Sequence, residues 1–356
     1  VKTENPYSNL YTDFNKAVLF GYSYPIISTY QNAENAISGN NNINAELSTV
    51  VKDSENKIYY LVNNFSSFNS IINNINDSQE NNENEIRIKQ IASFVASSRE
   101  NQGRGFVDVY EFKTIDLKKD LIYDGNNFAI INFKQTTDKN GIAGLFKTTD
   151  NSITIKNLAI DNAEIKISFG EAKDGNISSV IENISVGVLV ATSSSKVNID
   201  NCYISGEIYC ANNTIEDYTK AKEMIIGGFI GKNDNKTSDI SKISNCVSSL
   251  HINLDYLTND ISLKSGDAKN PVEFLGYDSK VGGIAGQVKN TEINENWNFG
   301  DVISISSRKL SAGGIVGEIE GGALTKNKMF GVVQYKGAYL GYYASDNETD
   351  LIYNVN

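Results

Sequence analysis

The residues able to do chemistry are few and scattered. The chain has one histidine, His251, in the alternating stretch Ser249-Leu250-His251-Ile252-Asn253-Leu254. No second histidine and no cysteine stands at ligand spacing, and no Gly-x-Ser-x-Gly elbow supplies a nucleophile. A structural or surface role is expected for it. Carboxylates could do acid–base work, but Asp124, Asp161, Asp200 and Asp301 are dispersed. A glycosidase needs two carboxyls within roughly 5–10 Å. Lyase chemistry needs acidic cation ligands beside a basic group, and Arg87, Arg99, Arg104 and Arg308 sit away from carboxylate runs. Asp346-Asn347-Glu348-Thr349-Asp350 lacks the glycine and spacing of a calcium loop and reads as a solvated acidic stretch. The sequence offers no catalytic set and no metal set, and it calls for no cofactor.

What recurs is glycine. Ile226-Gly227-Gly228-Phe229-Ile230-Gly231 returns as Val281-Gly282-Gly283-Ile284-Ala285-Gly286 and as Ala312-Gly313-Gly314-Ile315-Val316-Gly317. Looser copies stand at 140–144 and 186–191. No Lys-Ser/Thr trails Ile226 to Gly231, which argues against a phosphate-binding loop there. A second column is centred on asparagine: Asn157, Asn201, Asn245, Asn296 and Asn327. From Gly141, Gly187, Gly228, Gly283 and Gly314 to these asparagines the gap is thirteen to seventeen residues; from each asparagine to the next glycine it is eighteen to thirty-eight. One half of the repeat is nearly fixed and the other absorbs insertions. Parallel strands stacked about 4.8 Å apart behave this way, since a core segment cannot change length without losing register. The shortest repeat leaves room for about three strands of about five residues each.

The fold expected is therefore mainly β: a right-handed parallel β-helix (β-solenoid) of about six coils over residues 106–356. Asn at one position should form an amide ladder, each side chain bonding the next coil. Leu158, Cys202, Cys246, Trp297 and Lys328 follow these asparagines. The first four suit the interior, and Lys328 would mark the end of the stack. Cys202 and Cys246 would lie about 5 Å apart as stacked, reduced, buried thiols. Cys210 is assigned to a loop. Gly337 to Tyr343 is a degenerate glycine segment or a cap.

Residues 1–105 form an N-terminal α+β cap or small module, because the first coil of a stack exposes strand edges and apolar side chains that must be covered. Asn32 to Ser38 suggests a short helix. Ile58 to Val62 reads as a strand. Phe65, Phe68, Ile71, Ile72 and Ile75 have helical spacing, and Ile88, Ile91, Phe94 and Val95 suggest a second helix ending near Ser98. Residues 102–105 form the junction.

Net charge is -11 with a pI near 4.8. Such a surface repels phosphate backbones, so nucleic acid is excluded as a partner. No apolar run of about 18 residues exists, so direct membrane insertion is not expected. Binding should ride on the insertions. Residues 207–225 carry Tyr209 and Tyr218; residues 250–280 carry Asp255, Tyr256 and Tyr277. Exposed tyrosines beside Asp and Asn suit contact with a glycan or a protein.

Across roughly residues 106–340 the Gly-Gly-apolar-apolar-Gly copies resemble the GLUG repeats of bacterial surface adhesins and secreted right-handed β-helix proteins. The resemblance implies an extracellular or cell-surface location within a longer chain, and binding to a host surface protein or glycan. GLUG-type β-helices also occur beside the zinc peptidase module of immunoglobulin A-cleaving proteases. That peptidase requires His-Glu-x-x-His, which a chain with His251 alone does not contain. The resemblance then implies a non-catalytic region of such a protease. A carbohydrate-active β-helix enzyme is the third reading.

Overall fold

A computed structural model describes residues 50–52, 57–77, 84–96, 98–101, 106–109, 112–168, 170–173, 176–210, 222–254, 278–305 and 309–336. Among these the chain is mainly β with extensive parallel pairing, and it holds one α-helix, Phe65–Asp77. The expectations for Asn32 to Ser38, for Gly337 to Tyr343 and for Asp346 to Asp350 fall outside the described residues.

Successive repeats pair strand for strand. A first ladder is a five-stranded, wholly parallel sheet of Ile142–Ala143, Asn183–Gly187, Glu223–Gly227, Asp278–Gly282 and Lys309–Gly313. The chain then bends at the glycine motif into a second ladder, where Phe146, Val190, Ile230, Ala285 and Val316 lie opposite one another in turn. A third ladder aligns Ile155, Ile199, Ile243, Ile293 and Leu324. A fourth aligns Ala159, Tyr203, Val247, Trp297 and Lys328. The inward residues of these ladders fill one continuous core, with Ile155, Ile199, Ile243 and Ile293 fully buried.

The glycine motif works by layer-to-layer contact. The register pairs Gly187 with Gly227, Gly227 with Gly282 and Gly282 with Gly313. A Cβ on Gly227 would strike the Ile230 carbonyl and the Gly286 nitrogen; one on Gly282 would strike the Ala285 carbonyl and lie 2.6 Å from the Gly317 nitrogen. The first glycine of one repeat thus packs backbone to backbone on the last glycine of the next, which explains the fixed spacing inside the motif. The same register moves two glycines from their expected column. Gly187 opposes Gly227, not Gly228. The corner glycine of the earliest copy is Gly144, whose added Cβ would meet the Gly187 carbonyl. Gly141 sits three residues earlier, in a tight turn at φ 75°.

At the N-terminal side, Ile58–Val62 is a strand and Phe65–Asp77 a helix, as their patterns suggest. Asn64 caps the helix, its Oδ1 accepting the Ser67 N–H at 2.8 Å. Phe68 projects into an aromatic cluster with Phe94, Phe112, Tyr123 and Phe146 at centroid distances of 5.9–6.3 Å. Asn76 ties the last turn to the stack, donating to the Asp116 carbonyl and accepting from Lys118 N–H, each at 2.7 Å. The second expected helix does not form. Glu85–Gln90 and Phe94–Val95 are strands. Ile86, Ile88 and Gln90 alternate inward while Ile91 is 41% exposed. The helical spacing was a coincidence of two short strands broken at 91–93. The first of them pairs in parallel with both Tyr60–Val62 and Asp120–Asp124, so parallel pairing reaches well before residue 102. Phe106–Val109 joins an antiparallel hairpin with Ser98–Asn101.

Candidate functional site

The asparagine corner between the third and fourth ladders divides into two columns. Asn157, Asn201 and Asn245 all have φ 54°, and Glu295 and Lys326 follow at 57° and 55°. This left-handed position favours asparagine over other side-chain-bearing residues. Its side chains are half-buried at 157 and 245 and buried at 201, and they bond along the stack: Asn201 Nδ2 donates to Asn157 Oδ1 at 2.6 Å, Asn157 Nδ2 to Asp124 Oδ1 at 3.0 Å, and Asn245 Nδ2 to Asp200 Oδ1 at 2.9 Å.

Asn296 and Asn327 belong one residue further on, in the interior column of Leu158, Cys202 and Cys246. There Asn296 is fully buried and Asn327 is 5% exposed. Each reaches back one repeat. Asn296 Oδ1 accepts the Cys246 N–H at 2.9 Å, and Asn327 Oδ1 accepts the Asn296 N–H at 3.0 Å. Their Nδ2 groups donate to the Ile243 and Ile293 carbonyls at 2.9 and 2.8 Å. Trp297 and Lys328 are therefore outward residues, since a one-residue slip exchanges the two faces of a strand. Lys328 does not end the interior column; its ammonium lies 4.3 Å from the centre of the Trp297 ring.

Cys202 and Cys246 are free and fully buried in neighbouring repeats. Each thiol lies between two carbonyls: Cys202 Sγ is 3.3 Å from Asp200 O and 3.8 Å from Ile155 O, and Cys246 Sγ is 3.0 Å from Ser244 O and 3.8 Å from Ile199 O. Burial pushes the Cys246 thiol well above its ordinary 9.0. Such a thiol is protonated and unreactive at neutral pH. Cys210 is not on a loop; it ends the strand Tyr203–Cys210 and is buried.

The carboxylates considered for catalysis are each engaged. Asp124 lies 3.5 Å from the Lys156 ammonium. Asp161 accepts from Ser205 Oγ at 2.7 Å, and burial raises its pKa. Asp200 accepts from Ser244 Oγ at 2.7 Å. Asp301 lies 3.4 Å from His251, which is 56% exposed on an outer face. A connected polar cluster, not evident in sequence, runs across three repeats where the first two ladders meet. Lys280 lies 3.4 Å from Glu223 and 3.1 Å from Glu318, Lys232 lies 3.2 Å from Glu223, and Gln287 donates to Glu318 at 2.7 Å. These links join repeats by charge. Among the described residues no group of three or more His, Cys, Asp or Glu could hold a metal ion, and no helix is long and apolar enough to cross a membrane.

The variable leg always leaves from one place, between the fourth ladder and the next strand of the first. It runs from Ile167 to Asn183, Cys210 to Glu223, Asn253 to Asp278 and Ile305 to Lys309. The first of these carries an antiparallel hairpin, Gly170–Lys173 with Asn176–Val180. Of the tyrosines expected to bind, Tyr209 lies on the last strand before such an excursion, its hydroxyl donating to Glu164 at 3.1 Å. Lys134 also contacts Glu164, and its hydrogen bond holds that carboxyl below the ordinary range. Tyr218, Asp255, Tyr256 and Tyr277 lie outside the described residues.

No protein-family model and no curated protein matches the chain. Among solved structures it is similar to a proposed immunoglobulin A1 protease from Bacteroides ovatus, with 16% sequence identity and a TM-score of 0.49, over 83% of this chain and 81% of that one.

Proposed function

We propose that the parallel ladders are the faces of a right-handed β-helix, and that the protein is a non-catalytic stalk or adhesive region of a bacterial surface protein. In this reading the helix Phe65–Asp77 and its neighbours cap the first coils, and the excursions from one edge contact a host protein or glycan. The observation that carries the proposal is the constancy of the ladders beside the variation of that one edge. The glycine corners and the strand ladders repeat in register, while the segment after the fourth ladder ranges from residues 306–308 to residues 254–277. Scaffolds built from repeats carry binding on such insertions. The resemblance of the glycine copies to GLUG repeats supports a cell-surface location. The engaged state of Asp124, Asp161, Asp200 and Asp301 favours binding over acid–base chemistry.

The test is a glycan and host-protein array probed with the whole chain and with a variant in which residues 255–277 are replaced by a short Gly/Asn turn. The proposal predicts a ligand that the whole chain retains and the variant loses, with thermal unfolding of the variant shifted by only a few degrees. Equal retention by both removes the third excursion as the site. Turnover of any arrayed glycan overturns the non-catalytic reading.

A further inference from the structure

The interior turns polar at one corner that neither asparagine column reaches. Between the second and third ladders, Asn233 ends the strand Ile230–Asn233, Asn235 follows it, and Ser241 opens the strand Ser241–Ser244. All three are fully buried. Asn233 lies opposite the buried Ser193 of the repeat before and opposite Val288 of the repeat after. Two donors already fill Ser241 Oγ. Val197 N–H donates to it at 3.0 Å and Asn235 Nδ2 at 3.1 Å, and the Asn235 amide is fixed because its Oδ1 accepts the Thr237 N–H at 3.0 Å. A hydroxyl oxygen has two lone pairs. The Asn233 amide also lies 3.0 Å from Ser241 Oγ. With Nδ2 on that side, the oxygen meets three donors, its own proton has no acceptor among the described residues, and Asn233 Oδ1 is buried with no partner. Turned end for end, the amide gives Oδ1 to the Ser241 proton and aims Nδ2 at the point Oδ1 would occupy. Either way one polar atom of Asn233 faces that point in the core, where an unpaired group is costly.

We propose that this corner is a binding site for one internal water molecule, held by the Asn233 side chain between two layers of the stack. The Asn233 Oδ1 accepts the Ser241 hydroxyl proton, and its Nδ2 donates to the water. The water then has two protons to give. Ser193 Oγ is the acceptor that the register brings nearest from the layer before. It accepts the Ser195 N–H at 3.1 Å and keeps a second lone pair. A buried water needs two to four such polar partners. Water fits this corner better than an ion. The N–H groups of Val197, Asn233 and Asn235 converge on it and repel a cation. An anion would bring a charge into an interior that holds only neutral side chains at this point. The water links the layers of Ser193 and Asn233 at the one place in this column where an amide stands, since the next member is Val288.

The test is joint X-ray and neutron diffraction on crystals of the whole chain, beside an X-ray structure of Asn233→Leu. The expected result is one solvent molecule within about 3.2 Å of the Asn233 amide, on the side away from Ser241. Deuterons on the atom facing that solvent would identify it as Nδ2, and the Ser241 deuteron should point at Oδ1. In Asn233→Leu the solvent peak should be lost and a leucine methyl should stand in its place. Two results would overturn the proposal: a wild-type core with no solvent in reach of Asn233, or a main-chain carbonyl bonded to the turned amide where the water is placed. Deuterons on the atom facing Ser241 would overturn the orientation. The wild-type crystal decides each of these, so the outcome stands even if the leucine variant does not fold.

Discussion

One interior column is filled in two ways. In three repeats it holds Leu158, Cys202 and Cys246; in the last two it holds Asn296 and Asn327. At the N-terminal side Phe68 of the helix packs against Phe94 and Tyr123 beside the aliphatic core, and the repeat holding Cys246 already buries Asn233, Asn235, Ser241 and Ser248. The late repeats bury Asn296, Asn298, Thr291 and Ser304. An apolar column stabilises through burial, which does not depend on the direction of any one bond. An amide column stabilises only in one register, because each buried group left without a partner costs about 1–3 kcal/mol. The difference teaches that the same backbone position can serve packing at one end of the stack and alignment at the other. The isoleucine carbonyls make the exchange possible: Ile155, Ile199, Ile243 and Ile293 lie near a side-chain donor whether it is a thiol or an amide.

The first way to break the comparison is at the corner both halves share. Gly227→Ala places a methyl against two backbone atoms in different layers, where neither can move alone. A loss of more than about 4 kcal/mol is expected in denaturant unfolding. A loss under 1 kcal/mol would show that the corners are loose. Asn296→Leu comes next. It strands the Cys246 N–H and the Ile243 carbonyl and should cost about 2–4 kcal/mol, although leucine occupies this column naturally at 158. Equal stability with wild type would make the amides incidental.

Cys246→Asn extends the amide column one repeat toward the N-terminus. The new Nδ2 would face the Ile199 carbonyl, so the change should stay within about 1 kcal/mol of wild type. A collapse in stability would confine amides to the last two repeats. The wild-type thiol gives a pH test at the same place. Because burial raises its folded pKa above 9.0, the stability linked to it is complete below about pH 9 and is lost as pH rises further. At pH 8 a thiol reagent should label neither Cys202 nor Cys246 until the protein is unfolded. The smallest expected effect is a gain: Glu295→Asn relieves a left-handed backbone at φ 57° and should stabilise by about 0.5–1 kcal/mol.

Much of this was legible in the sequence, and each difference has its own physical source. The glycine spacing gave parallel stacking and located the variable edge, because length tolerance differs between paired strands and free excursions. The Asn column was misread by one residue because asparagine serves two adjacent positions for unrelated reasons, dihedral preference at 157, 201 and 245 and interior hydrogen bonding at 296 and 327. Anchoring on the preceding apolar residue would have separated them: Asn follows Ile155, Ile199 and Ile243 by two residues, but follows Ile293 and Leu324 by three. The cluster of Glu223, Lys280 and Glu318 left no sequence signal, since its members meet only across three repeats. The strand at Glu85–Gln90 was hidden by a chance helical spacing that its partner Asp120–Asp124 overrides.

The most direct test of the register is amide exchange at two neighbouring residues. Cys246 N–H is held by the Asn296 side chain, whereas Val247 N–H is held by the Cys202 carbonyl at 2.9 Å. In Asn296→Ala the exchange of Cys246 N–H should quicken at least about tenfold more than that of Val247. Parallel changes at both sites, or a selective effect produced instead by Asn245→Ala, would contradict the placement of Asn296 in the interior column.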